Sequence, residues 1–378
     1  MDKIKIATTT AFGIEAVAKR ELQNFGIDAK ALNGRLTFDG DLALVGRLNM
    51  FLGTCDRVYI VLGEFEAHNF DELFDKLSDI EFENYISTDG IINVSAKSVK
   101  SDLFAVTAIT SISKKAIATR MMEKFHLNTL PETGVTHKIE VSIFENSVTV
   151  LLDTSGVPLY KRGYRKLSHE APLKETLANA IVRLSVWNKE KTLIDCFCGS
   201  GTIPIEASLI GLNIAPGILR TFAFEDFKFV DKSIMENVRT EAQDRIDRTT
   251  KLSISGFDID ENSISLSMFH AKQIGVADKI HFQRQDMKDV KSSSRYGVII
   301  SNPPYGERLM SIGDVIKLYK DFARMFVTLK DFSAYIITAF PEFQRIIGLP
   351  ISKERKLYNG NLECRLYQIL GAKPTKRE

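Results

Sequence analysis

The residues with the clearest chemical use are Asn302-Pro303-Pro304-Tyr305, which directly follow an apolar run and Ser301. Two consecutive prolines fix the backbone and remove two N–H donors, so carbonyl acceptors remain beside the amide oxygen of Asn302. Tyr305 supplies a flat face on which a base can stack. These residues suit a planar substrate whose exocyclic amino group is held by two acceptors while its nitrogen attacks an electrophile. A proline-rich turn without chemistry is the alternative.

A glycine-rich loop with the sequence DCFCGSGT stands at residues 195–202, between an apolar strand and a helix. Glycines let the backbone approach a ligand closely, and the N–H groups at the start of the helix lack partners. The loop is not a dinucleotide fingerprint, because Pro204 stands where a small residue is needed. It is not a P-loop either, because it has no Gly-Lys-Ser/Thr. A simple tight turn is the alternative.

Carboxylates follow the next two strands. Asp258, within GFDID, can accept hydrogen bonds from both ribose hydroxyls. Asp258 lies much further from the glycine-rich loop than the roughly 20 residues of the dinucleotide pattern, because residues 215–250 form a charged insertion. Asp286, within QDM, can accept a hydrogen bond from an adenine amino group. Taken singly, an aspartate at a strand end is more often a helix cap or a turn residue.

Strands and helices alternate from Pro172 onward, where Leu173, Leu177 and Ile181 repeat at helical spacing. This alternation predicts an α/β domain with a doubly wound, mainly parallel sheet, whose ligands lie at the carboxyl ends of the strands. The predicted strands are 192–195, 253–258, 279–285, 297–301 and 333–338, and the predicted helices are 202–210, 261–274 and 314–329.

The first 160 residues predict a mixed α+β region without a nucleotide loop. The predicted strands are 4–9, 35–38, 55–66 and 91–96, with a β pair over 138–153 around Glu145-Asn146. The predicted helices begin at Ile14 and cover 70–77 and 105–125, and Asp39-Gly40 predicts a turn. Residues 154–170 predict a basic linker.

Charge is balanced over the whole chain, since 50 Lys+Arg and 48 Asp+Glu give a net charge of +2. Net charge alone therefore does not indicate binding of nucleic acid. Two basic stretches, residues 91–126 and 161–166, are candidate phosphate-facing surfaces. A solvated helix face or a solvated linker is the alternative. The candidate RNA-binding residues are Lys97, Lys100, Lys114, Lys115, Lys161, Arg162, Tyr164, Arg165 and Lys166.

Composition excludes several classes of protein. A hydrophobic share of 44% is ordinary for a globular chain and argues against wholesale disorder. Four cysteines in 378 residues do not form a disulfide scaffold, and no CxxC pair is present to bind a metal. The N-terminus lacks the apolar core of a signal peptide, and no apolar run approaches the roughly 20 residues of a membrane span. We expect a cytoplasmic protein without a metal.

The motifs DCFCGSGT, GFDID, QDM and SNPPYGERL resemble, in that order, those of class I S-adenosylmethionine-dependent amino-methyltransferases. The whole chain resembles the bacterial THUMP-domain RNA methyltransferases, in particular the rRNA guanine-N2 family. The stretch LYKRGYRKLSHEAPLKETLANAIV is similar to that family's junction between RNA-binding and catalytic parts. Cys196-Phe197 departs slightly from the family pattern, which usually has proline after the aspartate.

The resemblance implies a Rossmann-like methyltransferase domain preceded by a ferredoxin-like and THUMP RNA-binding region. The implied domains are residues 1–62, 63–155 and 171–378, with the basic linker at 156–170. The implied catalytic residues are Asn302, Pro303 and Tyr305. The implied S-adenosylmethionine-binding residues are Asp195, Cys196, Gly199, Gly201, Thr202, Asp258, Ile259, Asp286, Met287 and Asn302. RNA is the implied partner, with rRNA ahead of tRNA.

Three other functions remain open on the residues alone. Methylation of adenine N6 in DNA or RNA would use the Asn-Pro-Pro-Tyr segment equally well. A cysteine nucleophile acting on a pyrimidine carbon would need Cys196, Cys198 or Cys364. An RNA-binding assembly factor that has lost activity is the non-enzymatic alternative.

Overall fold

The computed structural model describes residues 3–32, 34–165, 173–306 and 311–373. Within these ranges the strands form two seven-stranded sheets. The strands are β1 (Ile4–Thr9), β2 (Lys30–Leu32), β3 (Arg35–Gly40), β4 (Arg57–Glu66), β5 (Ile91–Val99), β6 (Thr136–Phe144), β7 (Ser147–Asp153), β8 (Leu193–Asp195), β9 (Ile254–Asp258), β10 (His281–Arg284), β11 (Val298–Ser301), β12 (Ser333–Thr338), β13 (Lys353–Asn359) and β14 (Leu362–Ile369). The α-helices are α1 (Glu15–Gln23), α2 (Leu42–Phe51), α3 (Phe70–Ser78), α4 (Val106–Phe125), α5 (Glu175–Leu184), α6 (Thr202–Gly211), α7 (Lys232–Asp244), α8 (Glu261–Gln273), α9 (Ile312–Phe326) and α10 (Phe343–Ile347).

The first sheet has the order β2-β3-β1-β4-β7-β6-β5, in which β5 pairs with β6 in parallel and the other neighbours are antiparallel. Helices α1 to α4 pack against one face, where Ile6, Leu36 and Val58 are fully buried. The predicted α+β region is confirmed. The predicted boundary between residues 62 and 63 lies inside β4, so the division of this half into two domains stays a prediction.

The predicted β pair around Glu145-Asn146 is confirmed as the hairpin of β6 and β7. Both loop residues have positive φ, 48° and 65°, which matches the twist of the strands that they join. The local sequence therefore specifies both the turn and the register.

The turn predicted at Asp39-Gly40 is wrong, because both residues extend β3 and pair with β1. The turn chemistry belongs to the next residue. The carboxylate of Asp41 accepts the N–H of Leu44 at 2.8 Å and caps α2, a helix that the sequence pattern did not predict.

The charged insertion at residues 215–250 packs into the core of the first sheet. Met235 and Val238 of α7 are 4% exposed and lie among the apolar side chains of that core. On the surface, the guanidinium of Arg47 in α2 donates to both carboxylate oxygens of Glu241 in α7, at 2.9 and 2.8 Å. The insertion thus belongs to the N-terminal core, although the chain reaches it after the second sheet has begun.

The second sheet has the order β10-β9-β8-β11-β12-β14-β13. Strands β8 to β12 are parallel to their neighbours in this group, and β14 turns back antiparallel to β12. The predicted Rossmann-like, mainly parallel sheet is confirmed. The β13–β14 hairpin and helix α10 were not predicted. The predicted helix start at Pro172 lies outside the described residues.

The side chain of Arg162 holds the junction between the two sheets together. Its guanidinium donates to both carboxylate oxygens of Glu206 in α6, each at 3.2 Å, and the residue is 1% exposed. It also donates to the carbonyls of Gly53 and Leu159, at 2.6 and 3.0 Å. One buried cation therefore connects the N-terminal half, the junction and the helix that follows the glycine-rich loop.

Burial corrects two of the predicted RNA contacts. Tyr164 is fully buried, and its hydroxyl donates to Glu206 at 3.4 Å. The charge of Arg162 is neutralised by the same carboxylate. Neither side chain offers surface to a phosphate or a base, so the prediction that they bind RNA is wrong.

We expect Arg162→Ala to lower the free energy of unfolding by about 3–5 kcal/mol, because it leaves Glu206 buried without its cation. Chemical denaturation followed by circular dichroism measures this change. The control is Arg248→Ala at an exposed arginine, which should stay within about 0.5 kcal/mol of wild type. Equal stability of the two variants would contradict the role given to Arg162.

Candidate active site at the carboxyl edge of the second sheet

The carboxyl ends of β8, β9, β10 and β11 meet at one edge of the second sheet, which we call the carboxyl edge. Asp195 ends β8, Asp258 ends β9 and Ser301 ends β11, while Gln285 directly follows β10. The structure therefore brings together the glycine-rich loop, the QDM segment and residues 302–305, which we call the acceptor segment. Their meeting follows from strand direction alone.

The carboxylate of Asp258 is bonded to the glycine-rich loop. One of its oxygens accepts the N–H of Gly199 at 2.9 Å, and the other accepts the N–H of Asp260 at 3.0 Å. Each carboxylate oxygen has a further lone pair, so Asp258 can also accept hydrogen bonds from two hydroxyls of a ligand. The predicted pairing of this aspartate with the loop is present despite the long insertion between them.

Two glycines shape the surface of the loop. Gly199 has a φ of +50°, and a Cβ added there would meet nothing within 4 Å, so space is open above its backbone. Gly201 has a φ of +82°, and its added Cβ would lie 2.8 Å from the Cβ of Ser267 in α8. Only glycine combines this left-handed backbone with the close approach of α8.

Ser301 connects the glycine-rich loop to the acceptor segment. Its buried hydroxyl donates to Asp195 at 2.7 Å and accepts the N–H of Cys196 at 2.9 Å. The Asp195 carboxylate also accepts the N–H of Phe197 at 3.1 Å. Asp195 and Cys196 are each 1% exposed. Their hydrogen bonds support the glycine-rich loop from its buried side. A direct contact of either residue with a cofactor stays a prediction.

Other predicted cofactor residues differ in exposure. Ile259, just after β9, is 65% exposed, so its side chain is available to the flat face of a ligand. Asp286 accepts the N–H of Lys288 at 3.0 Å and keeps 35% of its side chain exposed. Met287 is buried below it, 3% exposed. A contact of Ile259, Asp286 or Met287 with the cofactor stays a prediction.

Arg165 points toward the starts of two helices. Its guanidinium donates to the hydroxyl of Thr202 at the start of α6 and lies 3.4 Å from the Glu175 carboxylate at the start of α5. Its side chain is 11% exposed. The charge of Arg165 is therefore engaged beside the glycine-rich loop, and its binding to RNA stays a prediction. Lys166 lies outside the described residues.

The remaining predicted RNA-binding lysines lie on the surface. Lys115 lies over the ring of Phe74, at 5.9 Å, and Lys161 is exposed in the junction. Three others form exposed ion pairs, which contribute little to stability and leave the ammonium groups accessible. These are Lys97 with Glu140 at 2.8 Å, Lys100 with Glu145 at 3.7 Å and Lys114 with Glu132 at 3.2 Å.

The acceptor segment is fixed by a tyrosine of α9. The hydroxyl of Tyr319 donates to the carbonyl of Pro304 at 2.8 Å. Within the described chain, the carbonyl of Pro303 and the amide of Asn302 have no hydrogen-bond partner. Pro303 is buried, whereas Asn302 and Tyr305 are half-buried at the carboxyl edge. Two acceptors are thus left over beside an aromatic ring.

Tyr319 was missed from the sequence, as was Thr338 at the end of β12. The two hydroxyl oxygens lie 2.9 Å apart, and the Thr338 hydroxyl also accepts the N–H of Phe340 at 3.0 Å. Burial raises the pKa of the Tyr319 phenol, which keeps it a donor at neutral pH. A single tyrosine on an amphipathic helix gives no sequence signal for such a role.

Comparison with known families is consistent with this geometry. Residues 162–368 match the RMKL-like methyltransferase domain, residues 5–59 match the RlmL ferredoxin-like domain, and residues 67–153 match the THUMP domain. The chain belongs to the THUMP-domain RMKL-like RNA methyltransferases. The predicted family is confirmed.

Individual relatives extend over the whole chain. Bacillus subtilis YpsC, named as an RNA methyltransferase, is 38% identical over 97% of this chain and 96% of its own. The ribosomal RNA large subunit methyltransferase K/L of Psychromonas ingrahamii is 32% identical over 97% of this chain, which spans 50% of that relative. The crystal structure of the methyltransferase SMU.472 with SAH is 41% identical, covers 99% of this chain and all of its own, and has a TM-score of 0.93.

This RMKL-like methyltransferase uses S-adenosylmethionine, which supplies an electrophilic methyl group on sulfur. The site fits that group, because the backbone at Gly199 borders open space and Asp258 retains lone pairs for ribose hydroxyls. Its RNA substrate agrees with the THUMP match. Among the described helices, none is long and apolar enough to cross a membrane.

Asp195 generates a prediction on pH. Burial raises the pKa of its carboxyl to about 7, although hydrogen bonds from Ser301 and the Phe197 N–H oppose the shift. In the unfolded chain its pKa is about 3.9. The folded state therefore holds the proton more tightly. This contribution to stability is complete below about pH 4 and is lost as the pH rises through 7.

Asp195→Asn keeps an acceptor oxygen but cannot titrate. We expect the free energy of unfolding of wild type, relative to this variant, to fall by about 1.4 kcal/mol per pH unit between pH 5 and 7. Denaturation of both proteins at several pH values measures the difference and cancels other titrating groups. A difference that does not change with pH would show that Asp195 stays ionised.

Proposed function

We propose that this RNA methyltransferase transfers the methyl group to the exocyclic N2 amine of a guanine in rRNA. The observation that carries the proposal is the pair of acceptors in the acceptor segment that have no partner among the described residues. The Pro304 carbonyl is taken by Tyr319, which leaves the Asn302 amide oxygen and the Pro303 carbonyl for the two hydrogens of an amino group.

The chemistry of a base amine explains why two acceptors are needed. The nitrogen lone pair is delocalised into the ring, so the free amine is a poor nucleophile. Hydrogen bonds from both N–H groups to Asn302 and Pro303 concentrate the lone pair on nitrogen. Placement of that nitrogen in line with the sulfur–methyl bond supplies much of the remaining acceleration. No dedicated base is required, because the proton can leave to solvent after transfer.

The substrate base must reach the carboxyl edge. A base within a stem is rotated out of its stack, at a cost of a few kcal/mol, and is held in the pocket by stacking. We assign this stacking to Tyr305, which is half-buried next to the two prolines. We assign general RNA affinity in part to the surface lysines Lys97, Lys100, Lys114 and Lys115.

The choice of guanine in rRNA rests on likeness. The junction stretch is similar to that of the guanine-N2 family, and the K/L relative is named for the RNA of the large ribosomal subunit. The acceptor segment by itself would serve adenine N6 equally well. Mass spectrometry of nucleosides from rRNA and tRNA of a deletion strain tests the proposal. Loss of N2-methylguanosine from rRNA supports it, whereas loss of N6-methyladenosine or a change confined to tRNA contradicts it.

We expect Asn302→Ala to slow methyl transfer by on the order of 100-fold or more, because it removes an acceptor that acts on the reacting amine. S-adenosylmethionine should still bind, and its affinity should fall much less than the transfer rate, because we assign the amide oxygen of Asn302 to the target amine. Single-turnover kinetics and calorimetry measure the two quantities. The control is Asn84→Ala at an exposed asparagine of the first half. Near-normal turnover of Asn302→Ala would show that the amine is held elsewhere.

Asp258→Ala should have the opposite effect, weakening S-adenosylmethionine by about 1.5–3 kcal/mol, as expected for hydrogen bonds to a charged group. The matched control is Asp260→Asn, which removes the charge of a neighbouring carboxylate but keeps one acceptor oxygen for the start of α8. Calorimetric titration with the cofactor measures both. If Asp260→Asn weakened binding and Asp258→Ala did not, the ribose site would belong to Asp260.

A further inference from the structure

The β13–β14 hairpin and the start of α5 extend past the carboxyl edge, next to the junction. Thr338, the last residue of β12, pairs with Arg365 of β14. The turn of the β13–β14 hairpin begins three residues beyond that pair, so it projects about 10 Å past the edge. The side chain of Asn359 in this turn accepts the N–H of Lys174, directly before α5, at 3.2 Å. Lys174 is therefore held at the height of the hairpin turn.

The side chains of this region combine positive charge with an aromatic face. The ammonium of Lys174 lies 4.7 Å from the centre of the Tyr160 ring, and both side chains are half-buried. Lys161, the next residue, is exposed. Within the described residues, no carboxylate lies within ion-pair distance of Lys161 or Lys174. Their charges are thus available to an anion, unlike those of Arg162 and Arg165.

The N-terminal half packs against β13 beside these residues, and we call this line of contact the seam. Gly13, with a φ of +91°, packs so closely that an added Cβ would lie 2.4 Å from the Lys356 carbonyl of β13. Its own carbonyl accepts a hydrogen bond from Arg355 at 3.0 Å. The neighbouring Phe12 is 57% exposed. An exposed aromatic ring therefore lies one residue from the contact with β13, the strand whose last residue holds Lys174.

The seam is close to the acceptor segment. In the order β11-β12-β14-β13, three strand spacings of about 4.8 Å separate β11 from β13, or about 14 Å in all. The acceptor segment follows β11, and the seam lies at the end of β13. A strand of RNA whose target base enters the pocket reaches this distance within a few nucleotides.

We propose that Tyr160, Lys161 and Lys174, together with the exposed Phe12, form the contact for the single-stranded RNA that flanks the target base. This surface deepens the proposed function and rests on it for the position of the target base. Lysine charges attract phosphates, and aromatic faces stack on unpaired bases without reading sequence. The surface therefore holds RNA next to the pocket, while the pocket selects the base.

Binding to an unmodified rRNA transcript at several salt concentrations tests the surface. The variant Lys161→Ala/Lys174→Ala should lower affinity at low salt and flatten the log–log salt slope by about 1.4, since each lost contact to a single strand contributes about 0.7. The matched control is Lys251→Ala/Lys330→Ala, which removes two exposed lysines near the opposite ends of the strands. Tyr160→Ala should weaken binding about fivefold or more, and Tyr160→Phe should retain it.

Affinity for S-adenosylmethionine should be unchanged in every variant, which reports an intact catalytic domain. A double variant with the slope and affinity of its control would overturn the proposed surface. Equal binding by Tyr160→Ala and wild type would remove the stacking role. Methyl transfer is measured separately on wild type. If wild type binds the transcript through these lysines but methylates no guanine, the surface stands and the proposed reaction fails.

Discussion

The buried charge of Arg162 constrains the whole molecule. A guanidinium removed from water must be paired and hydrogen-bonded, or it costs several kcal/mol. Here its partners come from three parts of the chain: Glu206 in α6, the Gly53 carbonyl in the N-terminal half and the Leu159 carbonyl in the junction. The charge is satisfied only when the two sheets are docked. Since α6 begins at the glycine-rich loop, the same docking fixes the loop relative to the RNA-binding half.

A second polar link acts inside the catalytic half. Ser301 bonds both Asp195 and the Cys196 N–H, so the strand that carries the acceptor segment and the loop that borders the cofactor move together. Methyl transfer needs the amine nitrogen and the sulfur substituent in line. Strand order brings the two segments near each other, and Ser301 sets their distance.

The sequence was informative where function depends on local pattern. Strand–helix alternation, the glycine-rich loop and the Asn-Pro-Pro-Tyr segment predicted the parallel sheet and its carboxyl edge. The turn at Glu145-Asn146 was likewise predictable, because the positive φ of both residues is a local property of the chain. What failed depended on contacts distant in the chain. The sequence around Arg162 and Tyr164 predicts a basic, aromatic linker. Nothing nearby in the chain shows that Glu206, one turn into α6, neutralises the arginine and accepts a hydrogen bond from the tyrosine.

The same distinction explains the missed elements. Tyr319 and Thr338 gain their roles only when α9 and β12 pack beside the acceptor segment. The β13–β14 hairpin has charged residues on both faces and meets the N-terminal half through Gly13, a contact that no periodicity reveals. For Lys97, Lys100, Lys114 and Lys115, sequence and structure agree on exposure.

The packing of α7 has a consequence for the order in which the chain folds during synthesis. The apolar core under the first sheet includes Met235 and Val238, which are translated after the glycine-rich loop. A nascent chain that ends before α7 therefore exposes part of that core, even though all seven strands of the first sheet have been made. The first half of this enzyme therefore cannot complete its apolar core until part of the second half has been translated, because α7 supplies side chains to that core.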